Sequence, residues 1–160
     1  MSGIALLQLC SNQGWPGYPV GRIRVVDMPG RDAVGLHINI WGHRTKTFHL
    51  NAYHRHALHV HAKGDIFTQN CSGACSHYKR HGQRHGLPGQ PDCHSGDLGN
   101  IVFTPGVDVE LYMVKTGLTL QECVGRSFIL HEGMDLGRTN PPDETGAAGG
   151  RLAAGVIGWK

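Results

Sequence analysis

Between Val34 and Trp41 the chain sets Val34, Leu36, Ile38 and Ile40 in alternation with Gly35, His37 and Asn39. A period of two is what a strand needs when one face packs in a core and the other meets water. Ile4–Leu9 and Val20–Val26 have the same texture, and the breaks at Gly14–Gly17 and Pro29–Gly30 carry turn chemistry. Strand texture returns at Ile101–Phe103, Val107–Val114, Ser127–His131 and Arg151–Trp159, with Pro105–Gly106 placed for a hairpin turn. No segment has a helical period and no repeat is present. The 24 glycines and eight prolines suit a fold with many turns. With 160 residues, 39% of them apolar, the chain is long enough to bury one core. The expectation is an all-β barrel or sandwich, with residues 1–160 as a single domain.

Two stretches depart from this pattern. Lys63–Asn100 is rich in Gly, His, Cys, Arg and Ser, and Glu132–Gly150 carries Pro141–Pro142 and a Gly/Ala cluster. Loops this long are uncommon in compact domains unless they are functional or disordered. A metal can order such a loop, because ligand bonds replace the missing apolar contacts.

Charge narrows the partners. A formal net charge of +3 with no Lys/Arg stripe argues against nucleic acid and equally suits a small anionic substrate or a mildly basic surface. No apolar run is long enough to span a bilayer, so no membrane is expected. Met1–Cys10 reads as a first strand, not a signal peptide, and the expected compartment is the cytoplasm.

Twelve histidines are the most unusual count, and imidazole is the commonest metal ligand. His59 and His61 lie two apart in a strand pattern, so both address the same side. The long loop adds His77, His85, His94 and Asp97; three imidazoles and a carboxylate make a closed set suited to structural zinc. Asp97 sits within Gly96-Asp97-Leu98-Gly99-Asn100, whose glycines allow a tight backbone, and His131 ends a strand at the mouth of the second loop. His37, His43, His49, His54, His56 and His81 read as structural or surface residues. Cys71, Cys75 and Cys93 lack the second clean pair that a cysteine zinc site would need.

His59-Val60-His61 followed by Gly64-Asp65 resembles the signature of the copper/zinc superoxide dismutase family. So do Gly96-Asp97-Leu98-Gly99-Asn100, then Gly125-Arg126-Ser127 with His131-Glu132 and Asp135-Leu136-Gly137, and the closing Gly149–Gly158. The resemblance implies an immunoglobulin-like Greek-key barrel with two functional loops. It implies a copper ion held by His59, His61, His77 and His131, and a zinc ion held by His77, His85, His94 and Asp97. His77 would bridge the two as an imidazolate and pass a proton to the developing peroxide. Arg151 would attract superoxide, which is disproportionated to oxygen and hydrogen peroxide. A homodimer and a copper chaperone are the partners implied.

Two other functions compete: a dismutase-like protein that holds copper or zinc without turnover, and the dismutase-like domain of a copper chaperone. Chaperone-type domains usually lose copper ligands and use a Cys-x-Cys tail; here all ligands are present and none follows Trp159-Lys160. Three departures stand out. Ala154 replaces the cysteine that the family pairs with the one matching Cys71, leaving Cys71 to pair with Cys75 or Cys93 or to stay reduced. Asp135 stands alone where the family has two acids, the first linking a copper ligand to a zinc ligand. Glu144 falls where a lysine often steers the substrate, in a loop shorter than usual.

Overall fold

The computed structural model describes residues 1–46, 48 and 54–160; His49 lies outside them. Among the described residues nine strands form: β1 (Ser2–Leu9), β2 (Pro19–Asp27), β3 (Ala33–Ile40), β4 (Arg55–His61), β5 (Asp97–Val102), β6 (Val109–Thr116), β7 (Ser127–His131), β8 (Arg151–Val156) and β9 (Gly158–Trp159). Eight of them run in the order β5-β4-β7-β8-β1-β2-β3-β6, and β9 pairs with β1. The pairings are antiparallel and the sheet curls into a nearly closed barrel, the all-β architecture expected from the alternation.

The alternating face of β3 does what its period requires. Val34, Leu36, Ile38 and Ile40 are buried with Ile23 and Val25 of β2 and with Leu58, Val60, Phe128 and Leu130 of β4 and β7. Burying one such side chain contributes about 1.5–3 kcal/mol, so the inward face decides the register.

Three local expectations are corrected. The strand after the long loop begins at Asp97, not Ile101, because residues 97–100 pair with β4 as His59↔Asp97 and Ala57↔Asn100. Their polar composition hides a strand whose pairing is set by its neighbour. Pro105–Gly106 does form a turn, with the Val107 amide on the Thr104 carbonyl at 3.1 Å and Gly106 at φ +82°. It makes no hairpin, since β5 and β6 lie at opposite ends of the strand order. The all-strand pattern is broken by the 3-10 segments Gly42–Arg44 and Gln69–Ala74 and by a turn of α-helix, α1 (Leu120–Cys123). Thr119 and Glu122 form a reciprocal capping box there, and Thr-x-x-Glu was a legible signal for it.

Cys71 is bonded to Cys10, with Cα atoms 5.6 Å apart, and Cys75, Cys93 and Cys123 are free. The pairings weighed from the sequence, with Cys75 or Cys93, are therefore wrong. β1 and β8 are neighbours through Gln8↔Ala154 and Leu9↔Ala153, and the Cys10 amide bonds the Leu152 carbonyl at 3.0 Å. Cys10 thus reaches Cys71 from the strand beside the one that carries Ala154. Ala154 itself packs with Cys71, Ala74, Ile66 and Ile129.

The long loop is fastened to the barrel mainly by polar groups. Arg80 forms a fork on Asp32 with two 2.7 Å bonds and reaches Glu122 with two of 2.8 Å. The Tyr78 hydroxyl donates to Glu122 at 2.9 Å, and the Arg126 guanidinium lies 3.7 Å over the Tyr78 ring. Gly96 admits no side chain: a Cβ there would meet the Val60 carbonyl oxygen at 2.3 Å. That close approach lets loop and strand share hydrogen bonds, Val60 to Gly96 at 2.8 Å and Gly96 to Tyr78 at 2.9 Å.

Candidate metal centre

β4 projects His59 and His61 to one side of the barrel, and β7 ends with His131 beside them. His77 is drawn in by a bridge to His61, flanked by the Ala62–Ser76 and Tyr78–Val60 backbone bonds of 2.8 and 2.7 Å. One ligand atom from each of His59, His61, His77 and His131 lies within 4.8 Å of every other, and so does one from each of His59, His77, His85 and Asp97. All of these residues are buried.

The second group takes His59 where the sequence expectation had His94, and His94 stands just outside it, beside Asp97. The Asp97 carboxylate faces three Nδ1 atoms, at 3.0 Å from His77, 3.1 Å from His85 and 3.4 Å from His94. It also accepts the backbone amides of Gly86 at 3.0 Å and His94 at 3.1 Å.

The ring nitrogens show what the cluster is built to hold. His61 Nδ1–H donates to the Cys75 carbonyl at 2.7 Å and His131 Nδ1–H to the Gly149 carbonyl at 3.2 Å. Their Nε2 lone pairs then face each other at 3.3 Å, a repulsive arrangement unless a cation lies nearby. His59 Nδ1, His77 Nε2, His85 Nδ1 and His94 Nδ1 are buried without hydrogen-bond partners. Orphaned buried nitrogens are costly, and several aimed together mark a place for a positive ion. Among the described residues one further ring nitrogen is in this state, Nε2 of His56. That ring packs on Phe103 and donates Nδ1–H to the His131 carbonyl at 2.8 Å, a structural role as expected.

Electrostatics divides the cluster. Burial pushes His61 down to about 2, His131 to about 3 and His77 to about 4, so these rings are neutral and their lone pairs available. Burial would lower His85 too, but the hydrogen bond to Asp135 and the nearby Asp97 carboxylate outweigh it and raise it to about 10. Burial would raise the Asp97 carboxyl; the His77 hydrogen bond, the adjacent His85 and His94 rings and the Gly86 amide instead hold it far below the usual carboxylate range.

Asp135 joins the two groups. Its Oδ2 accepts from His59 Nε2 and its Oδ1 faces His85 Nε2, both at 2.8 Å. Asn100 and the Gly137 amide fix its backbone and side chain. Gly146 lies over this bridge so tightly that a Cβ would come within 2.3 Å of Asp135 Oδ1. The lone acid therefore makes the cross-link that the resemblance assigns to the first of two.

A cavity of about 220 Å³ opens onto His61, His77 and His131 and is lined by Arg151 and Glu144. The Arg151 guanidinium donates to the Cys71 carbonyl and, at 2.5 Å, to the Cys75 carbonyl. Carbonyls orient it without neutralising it, and among the described residues no carboxylate pairs with it. A larger depression of about 690 Å³, lined by Val26, Tyr112 and Val114, lies on the outer face of β2, β3 and β6 and holds none of the cluster. Sequence reasoning missed the carbonyl of Cys75, which positions both His61 and Arg151; backbone acceptors leave no mark in a sequence. It also missed the bond from His94 Nε2 to Glu144 Oε2, at 2.8 Å.

The donor set fits copper and zinc. Neutral imidazoles suit both metals, and three imidazoles with one carboxylate suit tetrahedral zinc. His77 offers Nε2 to one group and Nδ1 to the other.

Comparison with known proteins agrees. The family model for copper/zinc superoxide dismutase (SODC) matches residues 20–157. The copper chaperone for superoxide dismutase of Homo sapiens is 41% identical over 105 residues, covering 64% of this chain and 38% of that protein. The chain thus spans well under half the length of the chaperones it matches. Superoxide dismutase [Cu-Zn] A of Xenopus laevis is 37% identical over 110 residues, covering 65% of this chain and 72% of that one. The crystal structure of the clock protein EA4 superposes with a TM-score of 0.77 at 30% identity, covering 99% of this chain and 94% of that chain. The chain belongs to the copper/zinc superoxide dismutase family.

Proposed function

We propose that the chain binds one copper and one zinc ion and disproportionates superoxide to oxygen and hydrogen peroxide. The observation that carries this reading is the convergence of lone-pair nitrogens from buried histidines beside a cavity that holds an unneutralised arginine. His59, His61, His77 and His131 would hold copper; His77, His85, His94 and Asp97 would hold zinc. Copper supplies one-electron redox chemistry when bound, and zinc a fixed charge without redox of its own.

The protein's own groups do the rest. Arg151 draws the anion into the cavity and orients it with its planar fork. Asp135 accepts from His59 Nε2 and so keeps the lone pair on Nδ1, where a ligand is needed. His77 lines the cavity, and its Nε2, without a hydrogen-bond partner, is the atom that would take up a proton and return it to the product. Two superoxide ions and two protons give one oxygen and one peroxide, so a proton carrier next to the reacting anion is required.

A second reading, a dismutase-like domain acting in copper delivery, is favoured by the likeness to the human chaperone. The intact set of four histidines on the copper side speaks against it. Metal analysis and a superoxide-consumption assay on protein loaded with copper and zinc separate the two. Catalytic consumption with one of each metal per chain is expected; stoichiometric metal without turnover would favour delivery.

A further inference from the structure

We infer that Glu144 is a positioning residue that tightens zinc through His94 and slows capture of the anion. The inference rests on the copper–zinc reading above.

Each zinc-side histidine outside the bridge has a carboxylate on its outer nitrogen. His85 Nε2 faces Asp135 and His94 Nε2 faces Glu144, both at 2.8 Å. A carboxylate there holds the proton on Nε2, leaves the lone pair on Nδ1, and makes the ring a stronger donor. His94 Nδ1 is the orphaned atom, 3.4 Å from Asp97. The rest of His94 is already fixed, by Asp97 on its amide and by Lys115 on its carbonyl at 3.2 Å. The ring tautomer is what remains to be set, and Glu144 sets it.

The same side chain has a second consequence. It is 57% exposed and lines the cavity with Arg151, where the resemblance leads one to expect a lysine. A negative charge at that mouth opposes the field of Arg151 and lowers the encounter rate of an anion. Lys79, 3.7 Å away and itself 53% exposed, offsets part of it. Zinc retention and anion capture are therefore set against each other at one residue.

The test compares the parent with Glu144→Gln, Glu144→Ala and, as a charge control, Glu110→Gln, whose carboxylate bonds His37 on the outer face of the barrel. Zinc affinity of copper-free protein is read by competition with a chromophoric chelator, and the superoxide rate constant is read at low salt on fully loaded protein. For Glu144→Ala, zinc affinity falls about ten- to a hundredfold, and for Glu144→Gln by less. The rate constant rises in both, and the gain fades as salt is added. Glu110→Gln changes neither. Unchanged zinc affinity in Glu144→Ala overturns the inference, and so does a fall in both quantities, which would mean a merely structural role. A parent that binds no zinc would overturn the copper–zinc reading as well, an outcome distinct from a tight parent with equally tight variants.

Discussion

The two halves of the histidine cluster are built by different means. His59, His61 and His131 stand on strands β4 and β7, and burial keeps at least His61 and His131 neutral. His85 and His94 stand on the long loop, and carboxylates face both nitrogens of each ring. The barrel builds the first half with ordinary core packing. The second half is a loop with few apolar residues, ordered by charges, one disulfide and, on the reading above, an ion. Strand-borne ligands should survive insults that dismantle loop-borne ones.

The strongest test removes Asp97, which accepts His77 Nδ1–H and two backbone amides and faces Nδ1 of His85 and His94. Structural zinc sites contribute about 10–16 kcal/mol over four ligands, so loss of one is worth about 2.5–4 kcal/mol. Asp97→Ala is expected to weaken zinc by about a hundred- to a thousandfold while leaving a copper-binding site of four histidines. Chelator competition and the copper absorption spectrum check this. Loss of copper binding together with zinc would erase the distinction between the halves.

The disulfide comes next. Cys10–Cys71 closes a loop across 61 residues and ties the segment before His77 to β1. Chain-entropy reasoning gives up to about 4 kcal/mol, and removal of such bonds commonly costs about 2–5 kcal/mol. Cys10→Ser should cost about that much in denaturant melts. It should also loosen Arg151, whose partners are the carbonyls of Cys71 and Cys75. Ala154 packs in the same cluster as Cys71, so Cys10→Ser/Ala154→Cys should form a new bridge and recover most of the loss. Free thiols in the double variant, counted by alkylation, would refute this.

On the strand-built side, Arg151→Glu should cut the low-salt superoxide rate by more than about tenfold with metal content intact, because attraction of the anion becomes repulsion. The deficit should shrink as salt screens the field. An equal rate at low salt would remove Arg151 from the cavity's function.

What could be read in advance follows the same division. Val34, Leu36, Ile38 and Ile40 announce their strand because burial imposes a period of two. His59, His61, His77, His85, His94, Asp97 and His131 stood out as types with metal chemistry, and the structure brings them into one cluster. Cys10 did not stand out, because its pairing depends on which strands become neighbours, a fact of topology. Nor did the strand at Asp97–Asn100, whose polar residues are held by β4 and not by their own pattern. Glu144 was read by its charge alone; its partner, fifty positions away, belongs to another loop.

The smallest expected effect concerns the polar anchor of the zinc-side loop. Glu122 gathers Arg80, Tyr78 and the Thr119 cap, and Arg80 carries the loop. The Arg80 hydrogen bonds, opposed by burial and helped by Thr119 and Tyr78, hold the Glu122 carboxyl down at about 2, below an ordinary 4.5. A carboxyl with a depressed folded-state pKa stabilises fully above its unfolded value, and the contribution disappears as pH falls through the folded one. Arg80 is about a third exposed, so water screens the pair and the contribution is set at about 1 kcal/mol. Glu122→Gln should therefore lower stability by about that amount at pH 7, and parent and variant should converge between pH 4.5 and 2. Urea melts across that range, on protein with its zinc state held constant, provide the measurement. A deficit that persists unchanged at pH 2 would mean that Glu122 acts through shape and not charge, and that the loop is held by packing much as the barrel is.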